Sequence, residues 1–181
     1  NKPFQSVRRY AEVVKRLHDC GIGIQGCFVF GLDNDDRSVF ERTVEFVDRV
    51  KIDLPRYAVA TPFPGTALYR QWEAAGRLLH KNWALYDVEH VVFQPQQMSP
   101  EELQEGLQWS WRQSYGWCSF FARMTAAPWS GLPLWVSLNL GYRYFARHLH
   151  EKTGKVYRDP NCTGQFLPEQ SAGAGSTPST T

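Results

Sequence analysis

Two short stretches put chemistry-bearing residues where a buried strand would end. In GCFVFGLDNDDRSVF, at 26–40, an apolar run stops at Gly31 and passes into Asp33, Asp35 and Asp36. In RYAVATPFPGT, at 56–66, a second apolar run meets Pro62, Pro64, Gly65 and Thr66. Barrels and open parallel sheets bind their ligands at such carboxyl ends. Gly31 permits positive φ and close backbone approach, against which adenine rings and sugar edges commonly lie. A tight strand-to-helix turn with no ligand would use the same glycine. Carboxylates after the turn also have a plain structural use. Asp36 is the expected helix N-cap, and Asp33 and Asp35 add negative charge at the positive end of the helix dipole. In the second stretch the prolines stiffen the loop, Gly65 allows a sharp turn and Thr66 caps the next helix. That rigid loop suits an active-site rim equally well.

The elements that must carry these loops follow from periodicity. Ser6 is placed to cap a helix with Val7, Tyr10, Ala11, Val14 and Leu17 on one stripe and Gly21 as its stop. Ile22–Phe30 is too short for a second helix. It reads as a strand buried on both faces, as parallel strands are. Val39, Phe40, Thr43, Val44, Val47 and Val50 form the stripe of a second helix. Arg56–Thr61 is a second strand, and Thr66–Ala75 a third helix closed by Gly76. Strands alternating with helices of this length imply a parallel sheet. Two strands are too few to stand alone, so further strands are expected before Asn1.

After Gly76 the texture changes to a loop with one short strand near Val91 and Val92. SPEEL, at 99–103, opens a helix running past Trp111 and Tyr115: Ser99 caps, Pro100 takes the first turn and Glu102 completes a capping box. Residues 125–142 carry no charge but are interrupted by Pro128, Ser130, Gly131, Pro133 and Asn139, so no span of about 20 apolar residues exists. Two readings stay open there. One is a short packed helix. The other is an amphipathic helix on a membrane surface through 125–150, with Arg143, Arg147 and Lys152 at its wet end. The tail, 155–181, is poor in core-forming residues and reads as disordered.

Composition excludes little but helps. The 181 residues are 43% hydrophobic and 14% aromatic, enough for one core. A net charge of +2, with a pI near 8.4, makes no case for nucleic acid. Cys20, Cys27, Cys118 and Cys162 form no CxxC or CxxxCxxC cluster. They read as buried or inert thiols in a reducing, cytoplasmic setting. Neither GxSxG nor a Walker loop is present. The glycines of GIGIQG, at 21–26, precede a strand rather than follow one, which is wrong for a dinucleotide turn. His148 and His150 point to different helix faces, a poor arrangement for a shared metal.

Taken in order, these motifs resemble the second half of a radical S-adenosylmethionine barrel. GLDNDD at 31–36 stands where that family has a GFPGET-type turn, with Asp35 at the glutamate and Asp36 at the threonine. ATPFPGTALYRQWEAAGRL matches the P-x-PGT-x-L motif through Pro62, Pro64, Gly65, Thr66 and Leu68. The opening NKPF looks like the end of the preceding strand–loop segment. The GLDND turn and WxxYDxxHVVFxPxxMSPEEL, from Trp83 to Leu103, are similar to the subgroup with an N-terminal cobalamin-binding domain, which includes enzymes of hopanoid lipids. The resemblance covers roughly residues 1–125.

That resemblance implies an α/β fold: the C-terminal portion of a partial (β/α) TIM-like barrel over 1–77, a mainly helical extension over 78–154 and the tail. It implies S-adenosylmethionine as cofactor, a [4Fe-4S] cluster with ligands outside this chain, and cobalamin on a domain outside it. The family's CxxxCxxC motif is missing here, so the chain is expected to be a C-terminal fragment, inactive alone. Phe28, Phe30 and Gly31 would pack near adenine and ribose. Asp33 or Asp35 would bond sugar or nearby backbone. Arg56, Tyr57 and Thr61 would face the lumen, with Pro62 beside them. The substrate would be a small molecule or lipid. The catalytic residues are not assigned. Two rival readings remain: a non-radical α/β barrel enzyme, and a non-catalytic interaction or membrane-surface module.

Overall fold

The structure is a computed structural model that describes residues 7–125 and 131–159. Ser6, NKPF, Cys162 and most of the tail lie outside the described residues. In chain order the elements are α1 (Val7–Asp19), β1 (Gln25–Phe30), α2 (Val39–Val50), β2 (Leu54–Val59), α3 (Ala67–Ala74), α4 (Pro100–Ser114), α5 (Trp117–Met124) and α6 (Leu132–Thr153), with a 3-10 turn at Trp83–Leu85. The fold is mixed α/β. Among the described residues its sheet is β1 and β2 alone, paired in parallel with Phe28 opposite Tyr57 and Phe30 opposite Val59.

Successive strand residues point to opposite faces, and here the faces differ sharply. Phe28, Phe30, Tyr57 and Val59 meet the helices. Phe30 stacks on Tyr57 with ring centroids 5.6 Å apart, and Phe40 of α2 meets Phe30 edge-on at 4.9 Å. On the other face Gln25, Cys27, Val29 and Arg56 are exposed. β1 is therefore not buried on both faces as expected. Its open side happens to carry apolar letters, which concealed the alternation. β2 also begins and ends two residues earlier than expected, at Leu54–Val59, and β1 begins later than expected, at Gln25.

Helix α4 does two jobs. Leu103, Leu107 and Trp111, at four-residue spacing, bury one stripe against α2 and β2. Gly106 lets the helix approach α2 closely: a Cβ there would lie 2.2 Å from the Phe40 ring. The same helix closes the outer edge of β2. Trp111 Nε1 donates to Tyr57 O at 3.1 Å, and Tyr115 Oη donates to Pro55 O at 2.9 Å. Val59 N–H completes that edge by donating to Val88 O at 2.8 Å. Backbone groups that would invite another strand are thus satisfied by side chains and a loop. Beside β1, by contrast, lies an apolar groove of about 560 Å³ lined by Tyr10, Val13 and Leu17 of α1, with Cys27 and Phe28.

Several local expectations hold. The Ser99–Glu102 capping box forms in both directions, and Thr66 Oγ1 accepts from Tyr69 N–H at 3.1 Å. Others shift. The 77–98 stretch contributes no strand, only the 3-10 turn at Trp83–Leu85 and an isolated antiparallel bridge, Leu78 to Phe93. The SPEEL helix stops at Ser114, and after Gly116 the chain starts α5. The expected short helix is the 22-residue α6, with Pro133 tolerated in its first turn. Cys20, Cys27 and Cys118 are free and exposed, not buried. Among the described residues no helix is long and apolar enough to cross a membrane.

Candidate functional site

The carboxyl ends of β1 and β2 lie side by side, so the two loops share one rim. Gly31 adopts φ +90° there. Its hydrogen faces protein: a Cβ would lie 2.7 Å from Leu103 Cδ2 and 2.8 Å from Phe93 Cζ. The glycine is buried by α4 and the Phe93 segment, which closes that side to any ring. Its N–H and that of Leu32 both donate to Asp35 Oδ2, at 3.0 and 2.9 Å. Asp35 therefore clamps the turn backward rather than serving the helix ahead.

Asp36 also departs from expectation. Its Oδ1 accepts from Ser38 N–H at 2.9 Å, a short side-chain turn ahead of α2, and Ser38 takes the N-cap position. Bonds from the Ser38 hydroxyl and N–H, with Arg42 nearby, hold the Asp36 carboxyl below the usual carboxylate range. Asp33 pairs with Arg77 at 2.7 Å. Arg77 is itself buried, donates from Nε to Gln94 O at 2.9 Å and lies 4.5 Å over the Trp72 ring. Gln97 Nε2 donates to Asp33 O at 3.0 Å. All three aspartates are thus engaged in shaping the loop.

Of the other expected residues, Tyr57 is 3% exposed, and its hydroxyl lies 2.6 Å from Ser114 Oγ. Burial pushes that hydroxyl well above the ordinary tyrosine value. Phe28, Phe30 and Tyr57 form one aromatic stack on the helix side. Arg56 and Tyr57 cannot share a face, because neighbouring strand residues never do. Thr61 and Pro62 are buried, with Thr61 Oγ1 donating to Val59 O at 3.2 Å. Only Arg56 among the nine presents a charged group to solvent with no hydrogen-bond or ion-pair partner among the described residues. It lines a pocket of about 370 Å³ with Trp111, Leu138, Tyr142 and Phe145.

What the rim can do follows from what stays open. Val29 (50% exposed), Leu32 (52%) and Phe63 (45%) offer apolar surface at the strand ends. Arg56 offers an anion-binding guanidinium below them on the open face. No group of three or more His, Cys, Asp or Glu among the described residues is placed to hold a metal ion. Leu32, Phe63 and Trp111 escaped sequence reading as site residues. Arg56 followed by Tyr57 was the available signal, since one polar letter in an apolar strand marks the open face.

Comparison with known proteins gives the following. No protein-family model matches the chain. It is 34% identical over 128 residues to the bacteriochlorophyllide d C-12(1)-methyltransferase of Chlorobaculum tepidum, covering 71% of this chain and 28% of that protein. It is 26% identical over 123 residues to the C-8(2)-methyltransferase of the same organism, with 68% and 27% covered. An uncharacterized methyltransferase of Pyrococcus horikoshii is 30% identical over 121 residues, with 67% and 24% covered. The chain thus spans about a quarter of the length of these relatives, and they are methyltransferases.

Proposed function

We propose that this chain is the closing part of a radical S-adenosylmethionine methyltransferase: the last two β/α units of a partial barrel with their helical cover. The observation that carries this reading is the asymmetry of the sheet. β2 has its outer edge closed by Trp111, Tyr115 and Val88, which suits the last strand of a barrel that does not close. Among the described residues β1 pairs with β2 alone, and its other edge lies beside an apolar groove, which suits an incoming strand and helix. The methyltransferase relatives, about four times longer than the matched region, support the same reading.

On it, the open face of Cys27, Val29, Arg56 and Ala58 would line the lumen. The [4Fe-4S] cluster and any cobalamin would be held by other parts of the longer polypeptide, and this chain alone would be inactive. Bound S-adenosylmethionine would supply the methyl group and the carbon radical of such an enzyme. The residues here fit one wall of its site. Val29, Leu32 and Phe63 would lie against apolar parts of the nucleoside or substrate. Arg56 would orient a carboxylate. Asp35 and the Asp33–Arg77 pair would hold the rim rigid, and α4 would exclude water from behind. The substrate would be a small molecule or a lipid; the names of two relatives favour a tetrapyrrole.

The test is anaerobic reconstitution of the full-length protein with iron and sulfide. Incubation with S-adenosylmethionine and a reductant should release 5′-deoxyadenosine. Its absence, with or without S-adenosylhomocysteine, would overturn the proposal and leave the non-radical barrel.

A further inference from the structure

The end of α4, helix α5 and the middle of α6 meet at a surface rich in arginine and exposed rings. Arg112, Arg143 and Arg147 line one pocket of about 270 Å³ with Trp117. None of the three pairs with a carboxylate among the described residues, where the arginine ion pairs are those of Arg37, Arg42, Arg77 and Arg158. Arg143 lies 4.0 Å over the Trp117 ring, tying α6 to α5. Desolvation and the nearby Arg147 hold its pKa below the usual arginine value, as expected of crowded positive charge. Beside the pocket Trp117 is 51% and Phe121 61% exposed, their rings stacked at 6.0 Å. On α6, Leu140, Arg143, Tyr144 and Arg147 fall at i, i+3, i+4 and i+7, one stripe in which Leu140 and Tyr144 are exposed. Glu151 flanks the stripe without pairing to Arg147. Lys152, expected to join these arginines, is instead bound to Glu89 and Asp87.

We propose that this surface docks peripherally on an anionic phospholipid bilayer. Trp117 and Phe121 enter the headgroup boundary, and Arg112, Arg143 and Arg147 hold lipid phosphates. Aromatic rings favour that boundary, and arginines near an anionic leaflet each add attraction. A free phosphate would use the pocket and leave Phe121, Leu140 and Tyr144 uncovered. A second copy on the same patch would set arginine against arginine. A bilayer satisfies both the charge and the apolar surface.

The test sediments the full-length protein with phosphatidylcholine vesicles, with and without phosphatidylglycerol, at low and high salt. Binding is expected only with the anionic lipid, and is expected to weaken with salt. Arg112→Gln with Arg147→Gln should lower partitioning about 25-fold, about five-fold for each arginine. Trp117→Ser with Phe121→Ser should also release the protein. Arg9→Gln with Arg49→Gln removes equal charge from exposed positions on α1 and α2 and should change binding little; circular dichroism checks that each variant folds. Three results overturn the proposal: no binding to anionic vesicles, equal loss in the Arg9 and Arg49 control, or calorimetric binding of inorganic phosphate without vesicle binding.

Discussion

Replacing Gly31 by alanine separates two costs that usually come together. Gly31 has φ +90°, and Gly65, in the second strand-end loop, has φ +84°. Both therefore carry the same backbone penalty for a side chain, about 1–2 kcal/mol. Their surroundings differ. Nothing lies within 4 Å of a Cβ at Gly65, whereas at Gly31 it would meet Leu103 Cδ2 at 2.7 Å and Phe93 Cζ at 2.8 Å. Neither neighbour has room to move. Both are fully buried, Phe93 is stacked on Trp72 at 4.2 Å, and Leu103 sits in the capped first turn of α4. Overpacking of that kind costs about 1–3 kcal/mol more. Gly65→Ala should thus lose about 1–2 kcal/mol and Gly31→Ala about 2–5 kcal/mol. In urea unfolding followed by circular dichroism the excess corresponds to a midpoint lower by about 1 M. Equal midpoints for the two variants would refute the close packing of α4 on the strand-end turn, and with it the conclusion that this side of Gly31 is closed to ligand.

Three further outcomes can be measured. Tyr115→Phe should cost about 1–3 kcal/mol in the same unfolding assay, because the buried Pro55 carbonyl on the β2 edge loses its donor. His80 is buried, and its pKa is lowered from the ordinary 6.5 by desolvation first and by His90 second. The folded protein therefore resists a proton that the unfolded chain accepts. Stability from this residue is complete above about 6.5 and should fall as pH drops toward the folded value, a slope that His80→Gln flattens. Arg56→Ala, in the full-length protein, should weaken binding of an anionic substrate or cofactor about 10- to 100-fold with little change in melting temperature, since the guanidinium makes no hydrogen bond or ion pair among the described residues.

What the sequence made legible was mostly local. The Ser99–Glu102 box and the Thr66 cap need only neighbouring residues, and both appear where the letters place them. The acids of GLDNDD were ambiguous for the same reason. A carboxylate after a strand can bond forward to a helix or back to the turn, and both partners lie within a few residues. Asp35 turned back, and Asp36 bonds to Ser38 and pairs with Arg42 instead of taking the N-cap position. Pro133 misled in the opposite sense: inside an apolar stretch it looked like a break, but in the first turn it is compatible with a long helix.

The faces of the sheet were harder, because hydrophobicity was the wrong signal. CFVF contains no polar letter, so a half-open strand and a fully buried one read alike. What distinguishes them is the partner strand. Arg56 sits in β2 opposite Cys27, and a guanidinium with no buried partner must face outward. Parallel register then turns Cys27 and Val29 outward with it, and Phe28, Phe30 and Tyr57 inward. One charged residue thus fixes the orientation of both strands. Among the expected site residues it also separates the inward-facing aromatic trio of Phe28, Phe30 and Tyr57 from Arg56 on the open face.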